Sequence, residues 1–214
     1  GLTSIVIPDS LTHIGYCAFW GCTGLTFVHI PNSVTSIGDG AFWDCSGLTS
    51  IKIPNSVTII NKWAFKECIG LTSVVIPNSV TKIGDGAFTG CSGLTSIKIP
   101  NSVSIIEWEA FKGCSGLTSV VIPDSVTKIG KEAFDGCTGL RWLTTPKQLC
   151  LENMIRLQLT AYHCIRLNCT GSKSFHEKII LFEEIAEQRN LPVVAIDIIM
   201  EYLYDDNTFL YIRK

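Results

Sequence analysis

The chain has 214 residues, with 17 Lys+Arg against 19 Asp+Glu and a net charge of −2. Residues 1–139 sum to −2 and residues 140–214 to 0, so neither part has the basic excess that a nucleic-acid backbone demands. The best apolar stretch, "LPVVAIDIIMEYLY", is interrupted by Asp197 and Glu201 and falls short of a membrane span.

A 23-residue unit begins at Leu2, Leu25, Leu48, Leu71, Leu94 and Leu117, with the consensus L-T-S-[IV]-x-I-P-[ND]-S-V-T-x-I-G-x-x-A-F-x-x-C-[ST]-G. A seventh unit from Leu140 keeps Leu143, Pro146 and Leu149 in register before the pattern stops. This period and the L-x-x-I-x-I opening predict a leucine-rich-repeat solenoid over 1–149, mainly β, with short parallel strands and tight helical turns. Residues 150–214 then form a small, mostly helical C-terminal cap or appendage. The chain begins at Gly1, already inside a coil and with neither a start Met nor a signal peptide, and is expected to be a fragment.

Within each coil, alternation predicts that the first, fourth and sixth residues face inward and the fifth outward. Pro ends the strand because it cannot donate to the ladder, and the following Asn or Asp turns the chain. V-T-x-I gives a second extended piece. A-F-x-x-C reads as one tight turn, 3₁₀ in type, with Ala, Phe and Cys inside. The closing Gly is expected to supply a left-handed conformation before the next strand. One such coil cannot bury enough apolar surface to fold alone, so the units must stack. Residues 48–93 and 94–139 are identical at 35 of 46 positions, so alternations such as Lys52, Val75, Lys98, Val121 follow from a duplicated two-coil block.

Cys22, Cys45, Cys68, Cys91, Cys114 and Cys137 recur at the same interval of 23. Stacked coils bring equivalent Cα atoms within disulfide range, but parallel side chains do not converge on each other or on one metal ion. A catalytic thiol needs an accessible, electropositive setting. The series therefore reads as a structural ladder of buried thiols. Cys17 stands outside it and is expected to be more exposed. In the tail, Cys150, Cys164 and Cys169 beside His163 lack the C-x2-C pairs of a strong metal site, leaving free thiols, a disulfide or a metal site open in that order.

"IPNSVTSIGDGAFWDCSGLTSI" resembles the BspA-type leucine-rich repeat, and the resemblance covers residues 2–149. It implies a right-handed curved solenoid without intrinsic catalysis, and a protein-binding role that in many relatives is adhesion at the cell surface. A cell-surface or secreted location is thus favoured over a cytoplasmic one. The alternative function is an intracellular scaffold whose helical tail binds a separate partner.

In the tail, "SFHEKIILFEEIAEQRN" opens with a capping box, Ser174 and Glu177, and "LPVVAIDIIMEYLYDD" places Pro192 in a first helical turn. Residues 151–168 are helix-like with room for a strand. Asn168-Cys169-Thr170 is a glycosylation sequon.

No Ser-His-Asp arrangement, phosphate loop or acidic pair is visible, and neither a cofactor nor a metal is expected. The candidate partner-binding residues are the outward strand column, His29, Lys52, Val75, Lys98 and Val121, anchored by Phe27 on that face and by Trp20 and Trp43 in the turns. Large rigid rings are enriched at binding hot spots.

Overall fold

The computed structural model describes residues 3–145 and 164–167. Each coil carries a three-residue strand, where the L-T-S-[IV]-x-I pattern alternates, and a two-residue strand at T-x-I. The first coil holds β1 (Ser4–Val6) and β2 (His13–Ile14), the second β3 (Phe27–His29) and β4 (Ser36–Ile37). The third holds β5 (Ser50–Lys52) and β6 (Ile59–Ile60), the fourth β7 (Ser73–Val75) and β8 (Lys82–Ile83). The fifth holds β9 (Ser96–Lys98) and β10 (Ile105–Ile106), the sixth β11 (Ser119–Val121) and β12 (Lys128–Ile129). β13 (Trp142–Thr145) opens the seventh, and β14 (Cys164–Leu167) follows it.

All pairings are parallel, and between consecutive coils the register steps by 23 residues, as in Ser4↔Phe27, Ile51↔Val74 and Ile106↔Ile129. The odd-numbered strands through β13 stack into one wall, here the strand wall, and the even-numbered strands β2 to β12 into a second. In the strand wall the middle residue of β3, β5, β7, β9 and β11 is buried and its neighbours are exposed. Threonines strengthen the joints: Thr26 and Thr72 donate from Oγ1 to the Thr3 and Thr49 carbonyls at 2.9 and 3.0 Å.

The A-F-x-x-C run forms a third wall of single turns. Its amides alternate in direction. Phe42 N–H bonds forward to the Ala64 carbonyl of the next coil (2.8 Å), whereas Cys45 N–H bonds back to Phe42 (3.2 Å). Every second amide is thus committed to a neighbouring coil, and a continuous helix cannot form. The expected helical turns are therefore corrected to isolated turns, and no helix occurs among the described residues. Phe19, Phe42, Phe65, Phe88, Phe111 and Phe134 stack at 5.1–5.5 Å down the centre. From Phe42 onward they are fully buried, with the Leu, Ile and Val of the walls packed round them. The first coil ends this array, and its Ile5, Phe19 and Cys22 are partly buried.

The closing glycine has a different role from the one expected. Left-handed backbone falls earlier, at Cys17, Gly40, Trp63, Gly86, Glu109 and Glu132, and again four residues later at Gly21, Asp44, Glu67, Gly90, Gly113 and Gly136. At the closing Gly93, a Cβ would lie 2.4 Å from the Ile69 carbonyl, and at Gly47 the same distance from that of Thr23. That glycine admits the neighbouring coil's backbone.

The helical appendage finds no support among the described residues. Within its span, β14 continues the strand wall, pairing Trp142↔Cys164 and Thr145↔Leu167 in parallel with β13. The helices expected from Ser174 and from Pro192, the sequon at Asn168, and Cys150, Cys169 and His163 lie outside the described residues, as does the expected boundary at 149/150.

Candidate functional site

The strand wall presents Val6, His29, Lys52, Val75, Lys98 and Val121 in one outward column, because each follows an inward residue in its strand, partly buried at Ile5 and buried in the others. Register places them side by side, with Val6↔His29, Lys52↔Val75 and Val121↔Lys98 as paired positions. Phe27 stands on the same wall at the head of β3 and is 53% exposed. Serines occupy the Phe27 position in β1, β5, β7, β9 and β11, where Ser50, Ser73, Ser96 and Ser119 are all exposed, and Trp142 takes that register position in β13.

Trp20 and Trp43 belong to the turn wall instead, since each follows the inward Phe of its coil. Their rings stack at 5.6 Å, and Trp43 continues to Trp63 at 5.8 Å with a 46° tilt. Lys66 Nζ lies 4.6 Å from the Trp43 ring centre, and Lys62 Nζ 4.1 Å from that of Trp63. Trp20 is 61% exposed at the end of this stack, whereas Trp43 and Trp63 are half-buried. The structure thus brings Trp20 and Trp43 together and sets Phe27 on a different wall.

Trp63 was missing from the candidate set because it stands three residues before the column of Trp20 and Trp43. The turn closes that offset: Lys66 N–H bonds to the Trp63 carbonyl at 3.0 Å, which puts both ends of the turn beside Trp43. Gly86 makes the room, since a Cβ there would sit 2.7 Å from Trp63 Cδ1. A Trp facing a Gly in the next coil was the available signal.

Further along, the turns carry charge. Lys112 bonds Glu109 and Glu132 at 2.7 and 2.6 Å. Glu107 meets Lys82 at 2.8 Å and Lys128 at 3.0 Å, and hydrogen bonds from these two ammoniums hold its carboxyl below the usual range. These clusters clip coils four to six together and leave no unpaired acid–base couple for proton transfer within them.

The thiol ladder lies inside. Cys45, Cys68, Cys91, Cys114 and Cys137 are buried, Cys17 and Cys22 partly buried. Each buried thiol donates to the carbonyl of the Phe 26 residues earlier, as Cys68 does to Phe42 at 3.0 Å. Burial pushes the Cys45 thiol up to about 12 and raises those of Cys68 and Cys114 well above the usual thiol range. A thiol held protonated in an apolar wall is a poor nucleophile and a poor metal ligand. Among the described residues no cluster of three or more His, Cys, Asp or Glu could hold a metal ion, and no helix is long and apolar enough to cross a membrane.

The profile of the BspA type leucine rich repeat region matches residues 1–117 and 104–167, in six copies. A solved leucine-rich repeat protein from Bacteroides ovatus is 36% identical, with a TM-score of 0.69, over 77% of this chain and 42% of its own. A leucine rich cell surface protein from Faecalibacterium prausnitzii is 44% identical, with a TM-score of 0.60, over 66% of this chain and 38% of its own. The chain thus spans about two fifths of the length of these relatives. No curated protein matches it.

Proposed function

The chain belongs to the BspA-type leucine-rich-repeat family, and from that premise we propose that it is a non-enzymatic protein-binding domain whose strand wall docks its partner. One observation carries this reading: the parallel strands stacked along one wall expose the ring of Phe27, at 53%, beside a row of serines and the outward column. Six strands spaced by about 4.8 Å give a face roughly 25–30 Å long, matching one side of a standard protein–protein contact. Phe27 anchors and the column supplies complementarity. Display at the cell surface, as an adhesin, is supported by the Faecalibacterium relative, which is described as a cell surface protein.

The test is affinity capture from host-cell extract with the wild-type chain and with two variants. A specific partner should be retained by the wild type and by Lys131→Ala on the turn wall, and be lost with Phe27→Ala. Equal retention by the Phe27 variant would remove the strand wall as the docking face.

A further inference from the structure

We infer that the strand wall takes an extended, acidic polypeptide segment lying along the solenoid axis, an inference that rests on the strand wall being the docking face proposed above. The argument is one of charge segregation. The chain as a whole is net acidic, at −2. Yet from the thiol of one coil, through the strand, to the proline closing that strand, no Asp or Glu occurs in any of the repeats. The charged residues on this wall include Lys52, Lys98 and Arg141, all exposed, with His29 in the same column and Arg166 at a register position of β14. Among the described residues the acids lie elsewhere, at the corner after the proline and on the turn wall.

The lysines divide accordingly. Lys82, Lys112, Lys128 and Lys131 each meet a carboxylate, and Lys62 and Lys66 lie over the Trp63 and Trp43 rings. Lys52 and Lys98 meet none among the described residues. Beside them, Ser50, Ser73, Ser96 and Ser119 are exposed, in a row with hydroxyls free to donate. A wall of unpaired ammoniums and hydroxyl donors with no competing carboxylate is complementary to carboxylates brought by a partner.

Spacing selects the class of partner. Lys52 and Lys98 are two coils apart, about 10 Å at about 4.8 Å per strand. A polypeptide in the extended polyproline II conformation advances about 3.1 Å per residue with three residues per turn, so every third side chain returns to one face at close to that interval. Duplex nucleic acid carries a charge every ~1.7 Å, far denser than this wall can neutralise. Sparse acidic residues in an extended chain fit.

The test measures binding of a fluorescent peptide with Glu at every third position to the full chain, against the same peptide with Gln and against a uronate polysaccharide. The Glu peptide should bind, and the Gln peptide should bind at least about tenfold more weakly. Lys52→Glu with Lys98→Glu, both exposed and remote from the core, should weaken the Glu peptide at least about tenfold, while Lys131→Glu leaves it unchanged. Equal behaviour of the two peptides, absence of binding by both, or binding of the polysaccharide in place of the peptide would overturn the inference. A captured partner that loses affinity with Phe27→Ala but ignores the double lysine reversal would overturn the acidic assignment and leave the docking face standing. A partner indifferent to both would remove the docking face itself.

Discussion

The thiol of Cys91 donates a hydrogen bond of 3.1 Å to the main-chain carbonyl of Phe65, one coil away. The same pair recurs in four further coils, so one small side chain both fills the wall and gives a second hydrogen bond to a carbonyl that already accepts within its own turn. Cys91→Ala should therefore destabilise the array by about 1–2 kcal/mol, from a small truncation plus a lost hydrogen bond. Cys91→Asp should abolish cooperative folding, because a carboxylate would be buried without a partner. Chemical denaturation followed by circular dichroism checks both, and a wild-type midpoint for the Asp variant would place the side chain in solvent.

Alkaline pH should weaken the fold through the same ladder. Burial raises the Cys45 thiol from its ordinary 9.0 to about 12. The unfolded chain then loses that proton near 9 while the folded chain keeps it, so unfolding releases protons and stability falls as pH rises. The loss should begin near pH 9 and continue to about 12. Melting temperature against pH reads it directly, and Cys45→Ala should flatten the slope. A curve unchanged by that substitution would show that Cys45 titrates alike in both states.

At the acid end the sign reverses. Glu107 is held below its ordinary 4.5 by hydrogen bonds from Lys82 and then Lys128. Its stabilisation is present above 4.5 and is lost as pH falls through the lowered folded value. Glu107→Gln should cost about 1 kcal/mol at neutral pH and nothing once the wild-type carboxyl is protonated. Urea midpoints at neutral and acid pH make the comparison.

Much of this architecture is legible in the repeat. The 23-residue period sets the register, and alternation about Ile51 or Val74 shows which residues leave the wall. The left-handed turn positions were hidden because no residue type marks them: Cys17, Trp63 and Glu109 share one, Asp44 and Glu67 the other. Only a constraint imposed by stacking makes Trp or Glu adopt that backbone. β14 was hidden for a related reason. A strand edge recruits the next segment through backbone groups, so the wall continues at Cys164–Leu167 after the side-chain pattern has stopped.

The closing glycines give a test of that stacking. Gly93→Ala would press a Cβ against the Ile69 carbonyl at 2.4 Å, and should cost about 1–3 kcal/mol. Gly15→Ala in the first coil meets nothing within 4 Å and should be nearly neutral. Equal melting temperatures for the two would contradict the close approach of coils.

Trp43 is expected to act on stability more than on binding. It is half-buried between Trp20 and Trp63 with the Lys66 ammonium over its ring. Trp43→Ala should lower stability by about 1–2 kcal/mol through lost stacking and cation–π attraction. Affinity for a strand-wall partner should be unaffected.

The docking face is tested most directly by site-specific photo-cross-linking. A photoreactive amino acid is placed at Val75, 56% exposed at the centre of the strand wall, and in a second version at Trp20 on the turn wall. The strand-wall account predicts a discrete cross-linked protein from Val75, competed by unlabelled chain, and none from Trp20. A cross-link from Trp20 with none from Val75 would contradict it.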